Sequence, residues 1–287
     1  MTQPDPQPVV AAAAKRQIER NTRTRILSTM LLLPPIAFAT VIGSTAFVVM
    51  ACIIFGLGAL ELAAIVTDRR LGMTGFVSAL GVLALALSLV YSGVPLAALV
   101  GVGSAGVLTL MAWRQRWREP ETAHTLAALL ALLLGLALVM WLGISVRQRP
   151  DGLLWWVLML VATFGTDTLA FAGGRAYGRT PLLPLWSPKK TVEGTLTGMI
   201  GAAVLGVLVL AYFQVSGSAA LWIVVGAPVA AVLGDLIESR FKRAYGVKDS
   251  AIEGLNFVPG HGGILDRIDS LSLVVLYAGT VLMLSPS

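Results

Sequence analysis

Charge is scarce in this sequence. Only 13% of its 287 residues are Asp, Glu, Lys or Arg, about half the share in soluble globular proteins, where roughly a quarter of positions are charged. A water-soluble enzyme and a disordered segment both need more charge than this, so both are excluded. Cysteine is scarcer still. Cys52 stands alone, so no internal disulfide can form and a secreted disulfide scaffold is excluded too. Apolar side chains are plentiful, at 56% of the chain, with a mean hydropathy of +0.83. That leaves a polytopic membrane protein. The formal charge of +6 suggests nucleic acid, but the basic residues gather in loops between apolar runs, so no nucleic-acid partner is expected.

Uncharged runs cover Ile26–Leu60, Leu71–Trp113, Thr122–Val146, Gly152–Thr166, Gly194–Gly234 and Ser270–Ser287, of 35, 43, 25, 15, 41 and 18 residues. A helix needs about 20 apolar residues to cross the hydrocarbon core, so the three longest hold two helices each. Their breaks fall at Gly43-Ser44, Ser92-Gly93 and Ser216-Gly217-Ser218, all turn-forming sequences. The first run extends past Glu61 to Thr67, and the 15-residue run past Asp167 to Gly174. The fold class is all-α, a polytopic integral membrane protein with about nine transmembrane helices.

Nineteen of the 21 Lys and Arg residues lie before the first helix or after the second, fourth, sixth and eighth; only Arg147 and Arg149 lie on the other side. This is a strong positive-inside signal, and it predicts a cytoplasmic N-terminus. Residues 1–25 read as a basic cytoplasmic tail without a cleavable signal, 26–150 as five helices, and 151–287 as a catalytic region of four helices and cytoplasmic loops.

The two parts differ in chemistry. Residues 26–150 are largely Leu, Ala, Val and Gly, with Gly and Ala permitting close helix packing. His124 reads as interfacial. Glu61 is odd in an apolar run and is expected near the cytoplasmic interface, paired with a loop arginine. In the second part Asp167 lies within an apolar helix, and Asp235 and Glu238 lie at the cytoplasmic end of another. Intramembrane acids are functional candidates by default, although Glu238 and Lys242 also suit an ordinary i,i+4 pair. Further on, PGHGGILDRID sets His261 among Gly260, Gly262 and Gly263, which let backbone approach a ligand. Asp266 and Asp269 follow, three apart and on one helix face. Carboxylates in contact repel unless a cation lies between them, and hard oxygen ligands beside phosphate-compatible cations suit Mg²⁺ with a nucleotide. SPKKTVEG, residues 187–194, offers Lys189 and Lys190 on the same membrane face, with Glu193 placed to orient one of them.

These residues carry a resemblance. Ser239-Arg-Phe-Lys242-Arg243, then Lys248-Asp249, then Pro259-Gly-His261-Gly-Gly-Ile-Leu-Asp266-Arg267-Ile-Asp269 closely resembles the signature of phosphatidate cytidylyltransferases (CDP-diacylglycerol synthases). The Asp167 segment and SPKKTVEG also look like that family's. The resemblance runs by motif from Phe164 to the end of the chain. It departs at Val192, where an aromatic residue is common, and in Ser250–Val258, which is longer than usual by about four residues, a difference that costs little in a loop.

The resemblance implies transfer of the cytidylyl group of CTP to phosphatidic acid at the cytoplasmic face of a membrane, the inner membrane if the source is bacterial. The products are CDP-diacylglycerol and pyrophosphate. It implies that Asp235, Asp266 and Asp269 hold Mg²⁺, with a second cation such as K⁺ as a further expectation. Lys189, Lys190, Lys242, Arg243, Lys248 and Arg267 would clamp the phosphates of CTP and lipid. His261 would hydrogen-bond a phosphate, Ser239 would bind phosphate or water, and Asp167 would pair with a clamp cation or complete the metal shell. Asp249 belongs to the same signature and is expected to bind substrate. Family analogy adds a homodimer. A CTP-dependent polyprenol or phytol kinase and an ion-coupled transporter are the alternatives. The full Lys-Asp to Asp-Arg-Ile-Asp signature argues against the kinase, and polar residues gathered at one face argue against the transporter.

Overall fold

The computed structural model describes residues 31, 34–67, 72–114, 120–247, 249–252 and 262–285, by backbone alone over 112–114 and 120–123. Most of it is helical, as an apolar chain must be where no water serves its backbone. A short helix, α1 (34–42), leads through Gly43 into α2 (Ser44–Val66), followed by α3 (Met73–Tyr91), α4 (Val94–Arg114) and α5 (Pro120–Arg147). Next, α6 (Gly152–Leu160) runs through a π-helical turn (Val161–Gly165) into α7 (Thr166–Tyr177). A β-hairpin, β1 (Pro181–Leu183) and β2 (Ser187–Thr191), precedes α8 (Val192–Phe213), α9 (Ser218–Ala244) and α10 (Leu265–Leu284).

The protein is all-α and polytopic. Among the described residues, 8 helical stretches are long and apolar enough to cross a bilayer, α6 and α7 forming one of them. α1 belongs to the first expected span, whose start lies outside the described residues. The expected breaks occur at their glycines, with φ of +68° at Gly43, +80° at Gly93 and +137° at Gly217, values that side chains with a Cβ rarely adopt. α2 ends at Thr67 as expected, and α7 runs past Gly174 to Tyr177.

SPKKTVEG is expected in the loop after the sixth helix; its first five residues instead form one strand of a hairpin, with Pro181 opposite Thr191 and Leu183 opposite Ser187. Thr191 then caps α8, its hydroxyl accepting the Gly194 N–H at 3.2 Å.

The most buried span is α2. Its Gly56, Gly58, Ala59, Ala63 and Ala64 are all buried, and such small residues let neighbouring helices approach closely in lipid. α3, α5 and α10 pack on it, α9 pairs with α10, and α7 with α8. At the other extreme, only 11% of the α4 span is buried.

Candidate active site

One end of the bundle collects the charge. It is built from the last turns of α2, the first turn of α7, β2, the second half of α9 and the first turns of α10. Asp235, Glu238 and Lys242 recur on α9 at three- and four-residue spacing, which puts them on one face. The π turn directly precedes Thr166 and Asp167; such turns re-aim side chains and gather at functional sites.

The hairpin delivers a lysine to that face. Strand residues alternate sides, so Lys190 turns inward and pairs with Asp235 while Lys189 is exposed. Two contacts seat the hairpin. The Glu193 carboxylate accepts the N–H groups of Arg179 at 3.0 Å and Thr180 at 3.2 Å. The Arg240 guanidinium lies over the Trp186 ring, 4.9 Å from its centroid, a cation–π contact. Glu193 thus holds the entry to the hairpin instead of orienting a lysine as the sequence suggested.

Lys242 joins α9 to α10. Its ammonium meets Glu238 at 2.5 Å and Asp266 Oδ1 at 3.0 Å, so the expected i,i+4 pair with Glu238 is present and extends further. Asp266 Oδ2 accepts the N–H groups of Ser250 and Gly263, both at 3.0 Å. Among the acids of α9 and α10, Asp266 is therefore the one most engaged by the protein itself. Asp269 accepts the N–H of Ser270 at 2.6 Å and lies within electrostatic reach of Asp235, Lys242 and Asp167. Asp167 in turn feels Lys190, Asp235 and Arg267. Gly262 has φ +78°, and an added Cβ there would strike Asp266 Oδ2, so glycine suits the approach to α10. Ser239 is half-buried, and Arg243 and Arg267 are exposed. Lys248 and His261, two expected site residues, lie outside the described residues.

Inside the cluster itself, acids outnumber the bases that they face. Asp167, Asp235, Glu238, Asp266 and Asp269 face Lys190, Lys242 and Arg267. Glu238 is buried and its Oε1 has no hydrogen-bond partner. Among the described residues no three carboxylate, imidazole or thiol groups converge as a finished metal cage. Mg²⁺ does not require one, since it keeps several waters and binds through one or two carboxylates plus substrate phosphates. The hard-oxygen donors and the surplus of carboxylates within the cluster fit a divalent cation.

Sequence reading missed the place of Glu61 and Ser250. Glu61 was expected to pair with a loop arginine; its carboxylate instead accepts the N–H groups of Ile264 and Leu265, both at 2.8 Å, and the Ser250 hydroxyl at 3.0 Å. The signal was there in the isolation of Glu61 within an apolar run, but its partners are about 200 positions away, beyond any local pattern.

The cytidylyltransferase family model matches residues 23–285, nearly the whole chain. The chain belongs to that family. Among curated proteins, phosphatidate cytidylyltransferase 4, chloroplastic, of Arabidopsis thaliana is 44% identical over 124 residues, covering 40% of this chain and 30% of the relative. The phosphatidate cytidylyltransferase of Staphylococcus haemolyticus is 39% identical over 129 residues, 44% of this chain and 48% of the relative. That of Synechocystis sp. is 42% identical over 142 residues, 47% and 46% of the two chains. The chain thus spans half or less of the length of these relatives, and the family resemblance carried by the signature is borne out.

Proposed function

We propose that this protein transfers the cytidylyl group of CTP to phosphatidic acid, forming CDP-diacylglycerol and releasing pyrophosphate. One observation carries the reading: Asp235, Asp266 and Asp269 meet Lys190 and Lys242 at one end of the bundle, in a chain of the cytidylyltransferase family. The names of the relatives support this pair of substrates.

The site faces the cytoplasm, with the N-terminus on the same side and nine spans in all, α1 belonging to the first. The 19 basic residues on one side support that orientation, and it suits the substrates. A polar nucleotide arrives from water while acyl chains stay in the bilayer, so a site at the boundary reaches both.

The residues account for the chemistry. A phosphate oxygen of phosphatidate attacks the α-phosphorus of CTP in line with departing pyrophosphate. Phosphate monoesters have a second pKa of about 6 to 7, so the nucleophile is already largely ionised and needs no strong base. What the site must supply is cancellation of charge between two anions and on the leaving group. Lys190 and Lys242 are held by carboxylates at that point and are positioned to exchange them for phosphate oxygens. Lys189, Arg243, Lys248 and Arg267 extend the positive surface, and His261 and Ser239 donate hydrogen bonds to phosphate. Asp167 and Asp235 keep Lys190 oriented. Asp235, Asp266 and Asp269 would hold Mg²⁺, with a second cation such as K⁺ as a further expectation. A bound Mg²⁺ supplies Lewis-acid neutralisation of phosphoryl oxygens.

The test is to incubate purified protein with α-labelled CTP, phosphatidate and Mg²⁺ and follow label into the organic phase. Label in lipid, lost with EDTA, is the expected result. Lipid labelled only from γ-labelled CTP would assign a kinase instead, and no label from either would remove both activities.

A further inference from the structure

We infer that Glu61 is a positioning residue of the active site: from α2 it holds the start of α10, and with it Asp266 and Asp269, in the geometry that transfer requires. Its kinetic consequence rests on the cytidylyl-transfer reading; the contacts do not.

Glu61 is fully buried, at 0% exposure. Taking a carboxylate out of water costs several kcal/mol unless donors replace the lost solvent. Three donors do so here. Ile264 N–H reaches Oε1 and Leu265 N–H reaches Oε2, each at 2.8 Å, and the Ser250 hydroxyl donates to Oε2 at 3.0 Å. Ile264 is the N-cap of α10 and makes no side-chain cap bond, as an isoleucine must. The first N–H groups of a helix lack partners within it, and such groups are ordinarily served by a nearby Ser, Thr, Asp or Asn. Here the cap comes from another span, and its negative charge also suits the positive end of the α10 dipole.

The contact continues into the acidic cluster. Ser250 Oγ accepts the Asp266 N–H at 3.3 Å, and Ser250 N–H donates to Asp266 Oδ2 at 3.0 Å. Asp266 Oδ1 holds Lys242 at 3.0 Å, and Lys242 holds Glu238 at 2.5 Å. A closed polar path therefore runs from α2 through the 250 loop and α10 to α9. Gly263 seals it, since any side chain there would strike Ser250 Oγ and Glu61 Oε2. A Ser at 264 would cap α10 without bringing in a charge. A carboxylate on α2 does more, because it fixes α10 against the most buried span and so fixes where Asp266 and Asp269 stand. An error of about 1 Å in such a placement costs roughly 100-fold in rate.

The experiment compares full-length wild type, E61Q, E61D and S250A in detergent, by steady-state kinetics and by amide hydrogen exchange of peptides covering 262–267. Gln keeps the shape of Glu but turns an NH₂ toward backbone donors. E61Q should lose about 10- to 100-fold in kcat while the KM for CTP moves by less than about threefold. Exchange should rise at 262–267 and stay unchanged elsewhere. E61D keeps the charge and should recover much of the rate, and S250A should show the same pattern as E61Q in weaker form. Wild-type kcat in E61Q, unchanged exchange at 262–267, or equal loss in E61Q and E61D with exchange raised throughout would each overturn the inference. A wild type that labels no lipid would sink the transfer reading on its own; the exchange comparison would still decide whether Glu61 holds α10.

Discussion

The two ends of the chain solve different problems. In α2 to α5 the contacts are almost wholly apolar; α4 packs on α3 but barely on α5, and a half-open cavity of about 530 Å³ lies between the three helices, lined by Leu85, Leu108, Leu133 and similar residues. In α7 to α10 the helices converge on a charged cluster whose members hold one another by name: Lys190 with Asp235, Lys242 with Glu238 and Asp266. Lipid tails are as apolar as leucine, so helices in the first region are held by close van der Waals packing, which prescribes no particular partner chemistry. A buried carboxylate has no such freedom and needs a specific partner. The first region packs on the second through α5 and α10 and reaches the charged cluster through Glu61.

That contrast can be broken by substitution, and the largest effect should come from Asp235. Asp235→Asn removes the partner of Lys190 and a proposed Mg²⁺ ligand, and should lower the transfer rate by about 10²- to 10³-fold with the fold retained in detergent. A rate near wild type would take Asp235 out of the site. Next comes the alternation on β2. Lys190→Ala should cost about 10- to 100-fold in kcat/KM, against a few-fold for the exposed Lys189→Ala. Equal losses would mean that the hairpin contributes charge without direction.

The first region should tolerate change. Leu99 on α4 is 71% exposed, and Leu99→Ala should leave transfer within about twofold and stability within about 0.5 kcal/mol. A large loss of activity would show that α4 has a partner beyond lipid. The smallest effect is expected at the opposite end, where Asp151 precedes α6. Burial disfavours ionisation of its carboxylate, but the Trp155 indole N–H at 2.6 Å and Arg149 at 3.2 Å outweigh it, so its pKa lies below the usual carboxylate range. The stability it adds is present at neutral pH and is lost as pH falls through that lowered value. Asp151 is largely solvated, so Asp151→Asn should cost about 0.5 kcal/mol or less at pH 7, and thermal melts of the two proteins should converge in acid.

Much of this was legible in the sequence, because hydrophobic run length is a local property. The breaks at Gly43, Gly93 and Gly217, the end of α2 at Thr67 and the facing of Asp266 with Asp269 on one helix all followed from runs, turn residues and period. The hairpin did not, since Pro181–Leu183 and Ser187–Thr191 are too short to show an alternating pattern above background. The acids of the second region were found individually, but their partners were not. Lys190 reaches Asp235 only because the hairpin forms, and Asp266 gives one oxygen to backbone N–H groups that only the folded loop presents. Glu61 was visible as an anomaly and assigned the wrong partner type, a side-chain cation in place of backbone donors, because helix ends attract carboxylates as guanidinium groups do.

At the centre of this account, the charged end of the bundle moves the cytidylyl group of CTP, with its α-phosphate, to a lipid phosphate. The most direct measurement is a parallel reaction of wild type and Asp235→Asn with phosphatidate, Mg²⁺ and CTP labelled at either the α or the γ position, resolving lipid from water-soluble products. For wild type the expected result is α label in lipid, γ label in pyrophosphate, and the two in equal amounts, with both lost in Asp235→Asn. Gamma label in lipid, or full transfer by Asp235→Asn, would contradict it.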